Sequence, residues 1–129
     1  MTASNAEFST DSLPLKISTL IFLRNQKGEL LMLKRSKSPN EGKWSPIGGK
    51  LEGDKGESPF ECAIRETNEE TGFQIIETDL HLFACVSEKN YENAGHWLMF
   101  LFNCNKSLNY LPIDGDEGKF EFFQRSLIE

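Results

Sequence analysis

Hydrophobic and polar positions follow two different periods along the 129-residue chain. Apolar runs rich in β-branched and aromatic residues predict strands, and these runs lie at 17–23, 29–35, 73–77, 80–88, 96–104 and 119–124. The turn sequence Arg-Asn-Gln-Lys-Gly separates the first two runs, which predicts an antiparallel hairpin. One segment keeps the helical period instead and gathers one stripe of small and apolar residues: Phe60, Ala63, Ile64, Thr67 and Thr71.

The helical segment carries its own start and stop signals. Ser58 can serve as the N-cap, Pro59 suits the first helical position, and Glu61 completes a capping box. Gly72 supplies the stop. One long helix among several strands predicts an α/β or α+β fold. For the end of the chain two alternatives stay open, a very short helix that Ser126 could cap or a truncated chain.

Composition limits the classes of function. A polar arm at 1–15 followed by one domain at 16–129 fits the length and the 38% apolar content. No run approaches the ~20 apolar residues of a membrane span, and no signal peptide is evident, so we expect a cytoplasmic protein with reduced cysteines. The net charge of −6 argues against sequence-independent nucleic-acid binding. A homodimer is compatible with these features.

Three carboxylates share a second stripe of the predicted helix. Glu66, Glu69 and Glu70 stand at i, i+3 and i+4, where like charges repel by a few tenths of a kcal/mol per pair. A hard divalent cation such as Mg²⁺ or Mn²⁺ would offset this repulsion. The alternative is a solvated acidic face in which Arg65 pairs with Glu61 and Glu69.

Charge is also distributed unevenly before the helix. Positions 34–50 hold five basic residues and one acid, whereas 52–70 hold seven acids and two bases. This arrangement suits a phosphate chain held between protein cations and a metal ion, with Arg35 and Lys50 on the phosphate side. The alternative is an ordinary solvated loop.

The run GGKLEGDKGESPFECAIRETNEETGF at 48–73 resembles the signature of the Nudix hydrolases, G-x5-E-x7-R-E-U-x-E-E-x-G-U with U apolar. Six fixed positions match from Glu57 onward at the family spacing. Thr67 replaces an apolar residue, and positions 53–56 look like a two-residue extension of the loop before Glu57. Because longer surface loops cost little, we expect the helix register to be unchanged.

The resemblance implies an α/β/α sandwich around a mixed β-sheet and a metal-dependent hydrolase. In the family pattern Glu66 and Glu70 correspond to the principal Mg²⁺ or Mn²⁺ ligands, with Glu66 also a candidate to deprotonate water. Further ligands would be Glu69 and the carbonyl of Gly49. Glu57 would pair with Arg65, a structural residue, and brace the loop.

A further carboxylate from a late loop is common in the family, and 114–118 lies in the matching region. Glu117 is the candidate general base or supplementary ligand, with Glu121 in reserve. The alternative is a turn rich in Asp and Gly. An EF-hand is excluded because the loop lacks the required oxygen ligands at positions five and twelve.

Aromatic residues bear on the substrate. Trp44 and Tyr91 are candidates to stack a nucleobase, with His96, Trp97 and Phe100 as further aromatics, although strand aromatics also build cores. Small single-domain members resemble the nucleoside triphosphate pyrophosphohydrolases, including those acting on oxidised nucleotides, which is the first expectation. A dinucleoside polyphosphate hydrolase is the second, because Tyr91 lies eighteen positions after the signature. A non-catalytic nucleotide-sensing module is the alternative from another class.

Overall fold

The computed structural model describes residues 15–37, 41–89 and 95–124. Within these ranges the chain forms seven strands and one α-helix: β1 Leu15–Phe22, β2 Leu30–Arg35, β3 Trp44–Ser45, β4 Ile47–Lys50, α1 Pro59–Thr71, β5 Leu80–Glu88, β6 His96–Cys104 and β7 Gly118–Phe123. Short 3₁₀ helices occupy Gly53–Lys55 and Glu77–Asp79. In the part of the chain just given, no helix is long and apolar enough to cross a membrane.

The strands form two sheets. The four-stranded sheet has the order β4-β1-β6-β5, in which β1 and β6 run parallel and the other neighbours antiparallel. The three-stranded sheet has the order β3-β2-β7 and is antiparallel. The predicted α+β class with a mixed sheet is therefore confirmed. The short helix expected after Ser126, Tyr91, and residues 1–14 of the arm expected at 1–15 lie outside the described residues. Leu15, the last residue of that arm, begins β1.

The start and stop of α1 are those that the sequence predicts. Ser58 Oγ accepts a hydrogen bond from the Glu61 amide at 3.1 Å, and the Ser58 amide donates to Glu61 Oε1 at 2.8 Å. Gly72 ends the helix at φ 76°, and its amide donates to the Asn68 carbonyl. The strands expected at 80–88 and 96–104 are also confirmed.

The predicted hairpin is wrong, because β1 and β2 belong to different sheets. Both edges of β1 are taken, by β4 on one side and by β6 on the other. The predicted turn between them does form: Arg24 and Leu30 make an isolated antiparallel bridge, the Leu31 amide donates to the Leu23 carbonyl, and the Asn25 amide donates to the Glu29 carbonyl. The turn sequence determines only the local backbone conformation. The pairing of β1 is determined by β4 and β6, which are distant in sequence.

The strand expected at 73–77 is wrong as well. Phe73 and Ile75 are buried while Gln74 and Ile76 are exposed, so the segment shows the two-residue alternation of a strand. No sheet edge in the described structure pairs with it. The chain turns into a 3₁₀ helix, in which Asp79 accepts the Ile76 amide.

One apolar core joins the helix to the sheets. α1 packs against β1 and β4, and Phe60 meets the ring of Phe102 edge-on at 4.9 Å between centroids. Cys62 and Ala63 are fully buried beneath the sheet, as is Thr67 on the predicted stripe. The packed stripe fixes the rotation of α1, so the adjoining acidic stripe is directed toward β4.

Replacing Ser58 with Ala removes the side-chain half of the capping box. We expect the free energy of unfolding to fall by about 1 kcal/mol, the usual value of an N-cap, as measured by urea denaturation with far-UV circular dichroism. Ser58→Asp is the matched control, because Asp caps helices equally well. Equal losses in both variants would show that the cap contributes nothing here.

Candidate active site

The floor of the candidate site is the bare backbone of β4. A Cβ atom at Gly48 would overlap the Thr19 carbonyl of β1, and a Cβ atom at Gly49 would overlap the Glu66 carboxyl. The first glycine therefore allows β4 to pair closely with β1. The second allows a helix carboxylate to lie directly against a strand backbone.

Glu66 and Glu70 form a half-buried carboxyl pair one helical turn apart. Burial is the main cause that raises the pKa of each, and mutual hydrogen bonding couples them. The charge of Glu66 raises the pKa of Glu70 further, while the Gly48 backbone opposes the rise. Glu70 Oε2 is buried and has no hydrogen-bond partner. In the described structure this pair has more buried acceptor capacity than the protein satisfies.

Arg65 ties the loop before the helix to the site. Its Nε donates to Glu57 Oε2 at 2.6 Å and its Nη2 to Glu57 Oε1 at 3.0 Å, which makes a bidentate pair. Nη1 donates to Glu66 Oε2 at 2.9 Å, and Nη2 also donates to the Lys50 carbonyl at 3.1 Å. Arg65 thus connects the loop, β4 and the Glu66 carboxyl.

The two-residue extension folds as a local turn. Gly53–Lys55 make a single 3₁₀ turn that ends at Gly56, whose φ is 69°. The ends of the loop are tied together, because the Glu52 amide donates to Glu57 Oε1 at 3.0 Å and the Glu57 amide to the Glu52 carbonyl at 3.3 Å. The extension does not prevent Glu57 from pairing with Arg65, and it does not change the register of α1.

Glu69 is not part of the half-buried pair. It is exposed at 57% and accepts from Arg65 Nη1 at 3.1 Å. Across residues 15–37, 41–89 and 95–124, no group of three or more His, Cys, Asp or Glu side chains is arranged to hold a metal ion. The structure therefore brings Glu66 and Glu70 together, whereas Glu69 forms an ion pair with Arg65.

A cavity of about 780 Å³ opens beside Glu66, whereas Glu70 is not among the described residues that line it. Its polar walls include acids and bases from several elements: Lys16, Arg35, Lys50, Glu52, Asp54, Arg65, Glu66, Glu88 and Glu117. The charge of Glu117 raises the pKa of Glu70, and the Glu117 carbonyl accepts the Ser36 amide at 3.0 Å. Glu121, the reserve candidate, is exposed on β7 opposite Met32 and is not among the cavity-lining residues.

The aromatic candidates are placed differently from expectation. Trp44 packs edge-on against Phe123 at 5.0 Å between centroids and is not among the described residues that line the cavity. Trp97 and Met99 of β6 line it instead. Sequence reasoning missed Lys16 and Met99, although the two-residue alternation of β1 and β6 assigns both to one face.

The residues present fit a hard divalent cation. Two adjacent half-buried carboxyls, one with an unpartnered oxygen, lie beside a strand that has glycine at two successive positions. The Gly49 carbonyl of that strand accepts a hydrogen bond from Cys62 Sγ at 3.7 Å. Mg²⁺ and Mn²⁺ prefer oxygen donors of this kind. The same cavity is lined by three cations, Lys16, Arg35 and Lys50. Cations do not bind a metal ion, but they suit an anionic substrate.

Comparison with known proteins places these features in a family context. The profile of the NUDIX domain matches residues 14–127. The chain is 33% identical over 85 residues to the uncharacterized Nudix hydrolase YvcI of Bacillus subtilis, covering 65% of this chain and 52% of that protein. It is 31% identical over 103 residues to putative nudix hydrolase 1 of Caenorhabditis elegans, covering 78% of this chain and 26% of that protein.

A solved structure shows the same fold. The MutT protein of Methanosarcina mazei superposes with a TM-score of 0.75 at 28% sequence identity, covering 90% of this chain and 81% of that one. The chain thus spans most of this structure, about half of the Bacillus relative and about a quarter of the nematode relative.

Glu57→Gln should destabilise the protein in a pH-dependent way. Bonding to Arg65 lowers the pKa of Glu57 from 4.5 to about 2, so the ionised carboxylate stabilises the fold fully above pH 4.5 and loses this effect as the pH falls through about 2. We expect a loss of about 1.5–3 kcal/mol at pH 7 that shrinks below pH 4.5, measured by urea unfolding at successive pH values.

The control for this variant is Glu69→Gln, which removes an exposed partner of the same arginine. Its effect on stability should stay below about 1 kcal/mol. A Glu57→Gln loss that does not change between pH 7 and pH 3 would contradict the assigned ion pair.

Proposed function

We propose, because the chain belongs to the Nudix family, that it is a metal-dependent hydrolase of nucleoside triphosphates, oxidised nucleotides included, which releases pyrophosphate. The observation that carries this proposal is the half-buried Glu66–Glu70 pair, whose Glu66 lines a cavity that also holds the cations of Lys16, Arg35 and Lys50. A polyphosphate is the ligand that satisfies both halves of this arrangement. The phosphate oxygens would interact with the lysine and arginine cations of the cavity. The metal ion bound to the polyphosphate would be held by the Glu66 and Glu70 carboxyls.

The carboxyl pair and the glycine strand would hold the ion. Glu66, Glu70 and the Gly49 carbonyl supply oxygen donors, and Glu69 would join only by leaving Arg65. A bound Mg²⁺ or Mn²⁺ supplies neutralisation of phosphate oxygens and a lower pKa for a coordinated water. Lys50, which lies beside the carboxyl end of the cavity on β4, would orient the phosphate chain, as would Arg35 from β2.

The reaction joins a water oxygen to phosphorus and breaks one P–O bond of the anhydride. The electron pair of that bond leaves with pyrophosphate, and the water proton passes to a carboxylate. Glu117 is the proposed acceptor, because it lines the same cavity as Glu66. Glu66 is the second candidate for this proton, and the two are distinguished by the variants below.

Glu70→Gln should abolish metal binding while leaving the fold intact. Burial raises the pKa of Glu70 well above its ordinary value, so a neutral amide of the same size resembles the protonated, metal-free side chain. We expect unchanged thermal unfolding without metal, loss of the Mn²⁺-induced shift in melting temperature, and loss of triphosphate hydrolysis by orders of magnitude. Full activity in this variant would overturn the metal assignment.

The matched control is Glu69→Gln, which removes an exposed carboxylate next in sequence. It should retain Mn²⁺ binding to within a few-fold if Glu66 and Glu70 are the principal ligands. Chromatography of the products on a panel of dNTPs, oxidised dGTP, diadenosine polyphosphates and ADP-ribose identifies the substrate class.

Glu117→Gln should lower kcat by about 10²–10⁴-fold, the usual contribution of a general base, with little change in Mn²⁺ affinity. Glu121→Gln is the control on the same stretch of chain and should retain wild-type kcat. A Glu117→Gln enzyme with normal kcat would transfer the role of proton acceptor to Glu66.

A further inference from the structure

The cavity continues past the carboxyl pair across one face of the four-stranded sheet. Ser18 of β1 lies in register with Lys50 of β4 on one side and with Met99 of β6 on the other, and all three line the cavity. Because strands are spaced by about 4.8 Å, β4 and β6 lie about 10 Å apart. The phosphate end and the β6 end of the cavity are therefore separated on the scale of a nucleotide.

The far end of the cavity holds three residues in one cross-strand row. Lys16 of β1, Trp97 of β6 and Glu88 of β5 are register partners, and all three line the cavity. Lys16 Nζ lies 5.2 Å from the centre of the Trp97 ring. In the described part of the chain, neither Lys16 nor Glu88 takes part in an ion pair.

Each member of this row offers a different contact. Trp97 is 9% exposed, and its Nε1 is buried without a hydrogen-bond partner in the described structure, so its contribution to a ligand is an aromatic ring. Met99, one step along the same face, adds a polarizable apolar surface. Lys16 supplies only donors and Glu88, when ionised, only acceptors.

We propose that this row is the base subsite and that it selects guanine-type bases, an inference that rests on the function proposed above. Among the common bases only guanine carries a carbonyl beside two adjacent N–H donors. Lys16 would donate to the carbonyl O6, and Glu88 would accept from N1–H and the 2-amino group. The base stacks against Trp97 while the triphosphate extends toward Lys50 and the carboxyl pair.

Other bases fit the row less well. Adenine places an unprotonated ring nitrogen where guanine has N1–H, so a carboxylate there meets an acceptor. Uracil places its single N–H between two carbonyls, one of which faces the carboxylate. A good bidentate base contact contributes about 1–3 kcal/mol of discrimination, which corresponds to roughly five- to 150-fold in affinity.

The test measures binding of GTP and ATP in EDTA, where hydrolysis does not occur and the triphosphate is common to both. In a Trp44→Phe background Trp97 is the single remaining tryptophan, since the chain has two. We expect GTP to quench its fluorescence with an affinity at least about ten-fold above that of ATP. Equal affinities, or no response of Trp97 to either nucleotide, would overturn the proposal.

Two substitutions separate base selection from general binding. Glu88→Gln should reduce the preference for GTP to about two-fold while leaving ATP affinity unchanged, and Lys16→Met should weaken GTP more than ATP. Glu77→Gln and Lys27→Met are chemically matched controls outside this cavity and should change nothing. A preference that survives Glu88→Gln in a folded variant refutes the assignment.

Failure here is distinguishable from failure of the proposed function. If the wild-type protein hydrolyses GTP and ATP with equal kcat/KM, the proposed hydrolase activity is supported and the proposed base subsite is refuted. If GTP binds selectively in EDTA but no metal supports turnover, the subsite stands and the proposed hydrolase falls.

Discussion

The contact on which the site depends is that between the Glu66 carboxyl and the backbone of Gly49. It exists because β4 carries no side chain at either Gly48 or Gly49, and an alanine at either position would overlap a neighbour. The first glycine lets β4 pair with β1, and the second lets α1 approach that strand. Any side chain at Gly49 would push the Glu66 carboxyl away and separate it from the cavity.

Local chemistry accounts for what the sequence predicted well. The ends of α1 are set by hydrogen bonds within a few residues of Ser58 and by the left-handed conformation of Gly72, so a single chain segment contains the whole explanation. The acidic stripe follows from the same register. The Glu57–Arg65 pair could also be expected, because the spacing of the Nudix signature carries it.

The predictions that were wrong concern contacts between residues that lie far apart in the sequence. β2 has the sequence pattern of a strand, but no feature of the neighbouring sequence indicates that both edges of β1 pair with other strands. Trp44 was a candidate to stack a nucleobase as an aromatic residue, yet it packs on Phe123, nearly eighty residues later in the chain. The Lys16–Trp97–Glu88 row, in turn, required the parallel register of β1 with β6, which periodicity alone does not supply.

The carboxyl pair also explains why part of this site is costly in the metal-free protein. Glu66 and Glu70 are held close in a half-buried environment that disfavours charge on both, and one oxygen of Glu70 has no partner. Arg65 relieves only the Glu66 side of this cost, since its bonds reach Glu57, Glu66 and Glu69. A glutamine at position 70 would have the same size and would be neutral without the raised pKa that Glu70 needs in this environment. A glutamate at this position is therefore difficult to explain by folding, whereas a bound cation would use the Glu70 oxygen that the fold leaves without a partner.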